Sequence, residues 1–203
     1  MPSASSPSRP RLVLATLNPG KARELEALLR GVPFEVTALA AFAGAALPEE
    51  TADSYRGNAL LKARAAARLA RAWGLGDDSG LEVDALGGAP GVQSARYGGP
   101  GLDDAGRVAR LLESLAAVPP EKRTARFRCV IAVVEPDGRE HFAEGVVEGV
   151  IAAAPRGTGG FGYDPVFYYP PLGRTLAEVT PAEKMAVDHR GRAVRAARRF
   201  LSG

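Results

Sequence analysis

Residues 11–29 read RLVLATLNPGKARELEALL, and this stretch sets the fold class. Leu12–Ala15 is an unbroken apolar run that ends at Thr16 and reads as a strand. Asn18-Pro19-Gly20 then breaks it. From about Ala22 to Leu29 the leucines at 25, 28 and 29 fall at helical spacing. A strand that turns directly into a helix is the opening of an α/β layer. The chain on the C-terminal side continues the alternation. Phe34–Thr37 reads as a second strand, followed by an irregular stretch ending in Glu49-Glu50. Ser54 caps a helix expected to run to Trp73 and stop at Gly74. Residues 76–99, GDDSGLEVDALGGAPGVQSARYGG, are rich in turn formers, with a short strand expected at Leu81–Val83. Asp103 or Asp104 caps a helix through Ala116. Phe127–Val134 and His141–Ile151 read as strands joined by a hairpin at Pro136-Asp137-Gly138, and Val166–Tyr168 as a further short strand. Thr180-Pro181-Ala182-Glu183 has the pattern of a capping box with proline at the first helical position. A last helix is expected from about Asp188 to Leu201. The expectation is one α/β domain built on a mixed sheet, over residues 11–203, behind a flexible tail at 1–10.

Composition excludes several other classes. The chain has 203 residues, 46% hydrophobic and 24% charged, which is ordinary for a globular domain and too apolar for a disordered one. Its 24 glycines and 16 prolines make it loop-rich, but they stay below the roughly 25–30% of low-complexity chains. The single cysteine, Cys129, cannot form an internal disulfide or a cysteine-based zinc site, and its apolar surroundings, FRCVIAVV, mark it as a core residue. No apolar run approaches the roughly 18 residues of a membrane span, and MPSASSPSRP lacks the apolar core of a secretory signal. A cytoplasmic protein with no membrane partner is expected. The net charge is +3, with the positive excess concentrated after residue 187, where arginines 190, 192, 195, 198 and 199 face one aspartate. That helix reads as a solvated face complementing its own dipole rather than as a nucleic-acid surface. Only four of the 26 basic residues are lysines, at 21, 62, 122 and 184.

Four groups of residues could carry chemistry. Thr16, Leu17, Asn18, Pro19, Gly20 and Lys21 join the first strand to the first helix. Helix N–H groups, a glycine and a lysine there suit a phosphate, although neither a Walker A loop nor a dinucleotide fingerprint is present. Asp77-Asp78-Ser79-Gly80 sets two carboxylates in an expected turn. Such hard oxygens suit Mg2+, and one of the pair could take a proton from an attacking water. Glu49-Glu50 could add to them. Gly159–Pro165, with Phe161, Gly162, Tyr163 and Asp164, could form a flat loop on which a base stacks. Lys184, His189 and Arg190 could donate to a base carbonyl or to phosphate oxygens. Each group, taken alone, also reads as an ordinary turn or surface pair.

Five blocks occur in order along the chain: ATLNPGK, NALLKARAAA, DDSGLEVDALGGAPGVQSARYGG, GTGGFGYDPVF and AEKMAVDHRG. Together they resemble the inosine/xanthosine triphosphate pyrophosphatase family over about residues 11–201. The resemblance implies a long mixed sheet with flanking helices, forming two lobes around a nucleotide groove, in a homodimer. It implies Mg2+-dependent hydrolysis of ITP, dITP and XTP to the monophosphate and pyrophosphate. By position it assigns Asp78 as proton acceptor and metal ligand, with Glu49 a further ligand. Residues 16–21, Ser79, residues 161–164, Lys184, His189 and Arg190 would hold substrate, and Lys62, Asp77 and Glu50 are secondary candidates. Two positions depart from the family pattern. Gly57 stands where a glutamate usually precedes Asn58, and Asp188 stands where a serine usually precedes His189-Arg190. Rival readings are a pyrophosphatase of modified pyrimidine nucleotides and a nucleic-acid binder using the arginine-rich helix.

Overall fold

The computed structural model describes residues 9–202. Apart from Arg9 and Pro10, the tail expected over 1–10 therefore lies outside the described residues. One sheet of seven strands runs in the order β2-β1-β3-β4-β5-β6-β7. The strands are β1 Arg11–Leu14, β2 Glu35–Ala38, β3 Trp73–Val83, β4 Thr124–Val134, β5 Glu140–Ile151, β6 Phe167–Tyr169 and β7 Arg174–Thr175. β1 pairs in parallel with β2 and β3, and all later pairings are antiparallel. The parallel part follows from helical crossovers, α1 (Pro19–Leu28) and α2 (Tyr55–Ala70). The antiparallel part follows from the β4–β5 hairpin, where Gly138 takes φ 92°. α3 (Asp104–Ser114), α4 (Pro181–Val187) and α5 (His189–Ala197) complete the helices. Asn18, Ser54, Asp103, Thr180 and Asp188 cap the five helices, and Thr180 with Glu183 forms the expected capping box.

Three local expectations need correction. Residues 77–80 are not a turn: they lie in the middle of the eleven-residue strand β3, next to β4 on one side. The glycines of this stretch serve packing. A Cβ at Gly74 would fall 2.2 Å from the Ala63 carbonyl oxygen, and one at Gly76 would fall 2.0 Å from that of Ala59. The strand and the alanine face of α2 thus touch backbone to backbone. α2 ends earlier than expected, at Ala70, because Arg71 adopts the left-handed region at φ 48° and releases Trp73 into β3. The last α-helix ends at Ala197 rather than Leu201; Arg192, Arg195 and Arg199 are exposed, as expected of a solvated face, and several of the arginines also bind main-chain carbonyls. Arg192 donates to the carbonyls of Val187 and Val146, Arg195 to those of Met185 and Ala186, and Arg198 to those of Leu28 and Arg30. Guanidinium groups spent on main-chain oxygens are poorly placed for a nucleic-acid backbone.

Two of the four hydrophobic clusters among the described residues divide the long strands. One gathers Leu12 and Leu14 of β1, Leu25 of α1, Leu75 at the start of β3, Ile131 and Val133 of β4, and Val194 of α5. The other gathers Leu81 and Val83 at the end of β3, Val108 and Leu111 of α3, Phe127 of β4, Val147 of β5 and Phe167 of β6. The result is two lobes sharing β3, β4 and β5. Asp77–Gly80 is the segment of β3 that crosses from one to the other.

Candidate active site

A cleft of about 150 Å³, open to solvent, lies at this crossing. Asn18 and Lys21 line it from one lobe, Ser94, Phe127 and Phe161–Asp164 from the other, and Ser79 and Gly80 of β3 lie between. Successive residues of a strand point to opposite faces. Asp77 and Asp78 are therefore neighbours in sequence with different surroundings.

Asp77 faces α1 and α5. Its side chain has no exposed surface, and it accepts from Lys21 Nζ at 2.6 Å, Arg190 Nε at 3.0 Å and Cys129 Sγ at 3.1 Å. Burial opposes its charge, but Arg190 and then Lys21 overcome the penalty and hold its carboxyl well below the usual range. Asp78 faces α2. Lys62 Nζ donates to it at 2.8 Å and Asn58 Nδ2 at 3.4 Å. Here burial prevails over Lys62 and raises the carboxyl pKa. Two adjacent aspartates are thus pushed in opposite directions, one a fixed anion and the other suited to exchange a proton.

Lys62 also donates to Glu50 Oε1 at 2.9 Å, and Arg96 reaches Glu50 Oε2 at 3.3 Å. Burial works against the charge of Glu50, yet Lys62, Lys21 and Arg96 keep its pKa low. Glu49 is exposed and joins none of these contacts among the described residues. In this structure Glu50, not Glu49, shares an ammonium with Asp78. No three His, Cys, Asp or Glu side chains of the described residues converge in a ready-made metal site. Asp78 and Glu50, held together by Lys62, still fit Mg2+, which is commonly held by one or two carboxylates, substrate phosphates and water.

On the other side Arg190 Nη1 donates to Glu24 at 2.5 Å and Nη2 to Ser79 Oγ at 3.0 Å. Lys184 bridges Glu24 at 2.8 Å and Asp164 at 2.7 Å. Asp164 in turn accepts from the Phe161 N–H at 2.9 Å, fixing the glycine-rich loop. The Phe161 ring lies 4.5 Å from Lys184 Nζ and packs against Gly20, where a Cβ would stand 3.0 Å from the ring. Asp104, at the first turn of α3, accepts from the Gly162 N–H. The Tyr163 hydroxyl donates to the Ser94 carbonyl at 2.8 Å. His189 stacks on Phe127 at 4.7 Å, and burial drives its pKa well down, so the ring is neutral with Nδ1 unpartnered.

In the loop after β1, the Asn18 side chain accepts from the N–H groups of Gly20 and Lys21, and Thr16 Oγ1 accepts from Asn18 N–H. Leu17 is exposed, and Pro19 opens α1. The structure gathers these residues into two polar networks, one on each face of β3: Lys21, Asp77, Ser79, Asp164, Lys184 and Arg190 on one, and Lys62 and Asp78 with Glu50 on the other. Glu24 joins the first and Arg96 the second without a signal in the sequence: Glu24 sits in an ordinary surface-like run, RELE. Charges balance within each: carboxylates 24, 77 and 164 meet cations 21, 184 and 190, and carboxylates 50 and 78 meet cations 62 and 96.

Fold and cleft together define a two-lobed α/β enzyme with a carboxylate–ammonium centre. The chain belongs to the Ham1 family, whose sequence profile it matches over residues 12–200. It is 50% identical over 192 residues to a dITP/XTP pyrophosphatase of Desulforamulus reducens, covering 95% of this chain and 96% of that one. It is 53% identical over 189 residues to a dITP/XTP pyrophosphatase of Symbiobacterium thermophilum, covering 92% of each. The structure of a HAM1 protein from Coxiella burnetii superposes with a TM-score of 0.84 at 42% identity, over 94% of this chain and 98% of that one. No helix among the described residues is long and apolar enough to cross a membrane.

Proposed function

We propose that this chain is a Mg2+-dependent pyrophosphatase that hydrolyses ITP, dITP and XTP to the nucleoside monophosphate and pyrophosphate. The observation that carries the reading is the opposite treatment of Asp77 and Asp78 at the lobe crossing, beside a cleft with an aromatic wall. The names of the relatives agree with it. Asp78 takes the proton of the attacking water. Asp77 stays anionic and keeps Lys21 and Arg190 aimed at the cleft. Asp78 and Glu50 would hold the metal, which when bound neutralises phosphate oxygens and acidifies water. Lys21, with the loop of residues 16–20, faces the phosphates. Phe161 offers a stacking face, held by the Asp164–Lys184 pair.

Specificity follows from hydrogen-bond polarity. A 6-keto oxygen accepts from Arg190 or from main-chain N–H groups. A 6-amino group would set donor against donor, a loss of about 1–3 kcal/mol per buried unpaired group. The reading includes a homodimer, which the family resemblance implies, and action in the cytoplasm, where its nucleotide substrates are. The test is pyrophosphate release with Mg2+ from ITP, dITP, XTP, GTP, ATP and a modified pyrimidine triphosphate. Pyrophosphate should appear first, and fastest with inosine or xanthosine nucleotides. Equal rates on ATP refute the specificity, and orthophosphate as the initial product refutes the reaction.

A further inference from the structure

Asp188 is the joint between α4 and α5. Its N–H donates to the Lys184 carbonyl at 2.8 Å and closes α4, while its Oδ1 accepts from the Gly191 N–H at 2.7 Å and opens α5. The residue has no exposed surface, and its Oδ2 has no hydrogen-bond partner. The charged groups around it are Arg190 on α5, Lys184 on α4 and Glu24 on α1, and neither carboxylate oxygen contacts a cationic side chain among the described residues. Burial therefore outweighs the pull of Arg190 and raises the carboxyl pKa to about 6. Above that pH the residue is a buried anion that Arg190 and Lys184 offset only in part and without contact, and little water screens its field. The residues it joins, Lys184, His189 and Arg190, all line the cleft.

We propose that Asp188 is a specificity-determining residue, whose buried negative charge, touched by no cationic side chain, disfavours purine bases that are themselves anionic against neutral ones. Among bases with a 6-keto group, hypoxanthine is neutral at about pH 8, whereas xanthine has lost a ring proton near neutrality. This chain then favours inosine over xanthosine nucleotides more strongly than an equivalent with a neutral side chain at 188. At an effective dielectric of about 20, charges separated by roughly 12–25 Å give about a three- to tenfold effect.

The inference rests on the pyrophosphatase reading above. Asp188→Asn and Asp188→Ser keep a good helix cap and remove the charge. The readout is the ratio of kcat/KM for ITP to that for XTP at about pH 8, from which any general loss of activity cancels. The ratio should fall about three- to tenfold in either variant. An unchanged ratio in an active enzyme overturns the inference alone. Failure of the wild type to release pyrophosphate from any purine triphosphate overturns the underlying reading, and the inference with it. A substrate-free measurement completes the test. A raised carboxyl pKa makes the ionised residue a liability to folding, absent below about pH 4 and full above about pH 6. The Tm of Asp188→Asn should rise relative to wild type across that interval, and a pH-independent difference overturns the inference.

Discussion

Replacing Asp77 with asparagine removes the charge from a side chain with no exposed surface and leaves Arg190, 1% exposed, with Glu24 as its remaining counter-ion. The amide also turns one carboxylate oxygen into a donor, facing Lys21 Nζ or Arg190 Nε. Breaking a buried pair from one side costs about 3–5 kcal/mol, set against a total stability of about 5–15 kcal/mol. For a domain of this size the Tm should fall by about 6–20 °C. The pKa of Asp77 is depressed, so its stabilisation is present above the unfolded value of about 3.9 and is lost only as pH falls through the lower folded value. Wild type and Asp77→Asn should converge only in strong acid. The same substitution one residue on has the opposite signature. Lys62 keeps Glu50 at 2.9 Å when Asp78 is neutral, and burial already disfavours the Asp78 charge. Asp78→Asn should therefore keep or slightly raise the Tm at neutral pH, while turnover falls by at least about a hundredfold with the loss of the proton acceptor. Scanning calorimetry from pH 3 to 8 and a pyrophosphate-release assay on both variants decide the matter. Equal Tm changes in the two, or wild-type turnover in Asp78→Asn, would refute the division of labour.

Lys21→Arg and Lys184→Arg should lose activity, because a planar guanidinium cannot replace the point charge that Lys184 sets between Glu24 and Asp164; exposed Lys122→Arg should stay within about 0.5 kcal/mol of wild type, and steady-state kinetics with chemical denaturation separate the two outcomes. Gly57→Glu should lower the Tm despite offering Ser54 a capping-box partner, since its Cβ would fall 2.5 Å from that of Ala52; adding Ala52→Gly should restore the loss, and a double variant no more stable than the single one would disprove the clash. His189 should show no imidazole titration by NMR between about pH 5 and 8; because its folded pKa is depressed, its contribution to stability declines as pH falls below the unfolded value of about 6.5. A titration midpoint for His189 near 6.5 would contradict its burial.

The strand-to-helix unit at 11–29, the helix caps at Ser54 and Thr180 and the hairpin at 136–138 were legible because each is written in adjacent residues, whereas Asn18 read as a break rather than as the cap of α1. β3 was not. Gly74, Gly76 and Gly80 look like turn punctuation in the sequence, and only the approach of α2 and of the Gly91 carbonyl explains them as strand residues. The same misreading made Asp77 and Asp78 a single acidic pair, when the pleat of β3 separates them by face. The sequence held no signal that Glu50 rather than Glu49 meets Lys62, since that contact comes from twelve residues away. Glu24 and Arg96 were invisible for the same reason: their partners are remote in the chain. The family resemblance recovered the fold, which residue patterns alone left as a mixed α/β domain.

The backbone-to-backbone seam between α2 and β3 acts as a spacer of fixed gauge. Side-chain cores can relax after a substitution, drawing helix and sheet together or apart by fractions of an ångström. A seam of glycine against alanine carbonyl has no such slack, and it holds Lys62 on the helix at a set distance from Asp78 on the strand. Substitutions in either lobe's hydrophobic core should therefore lower the melting temperature long before they alter the rate constant of the bound substrate. Gly74 and Gly76 are the reverse: enlarging either one would shift the ruler itself.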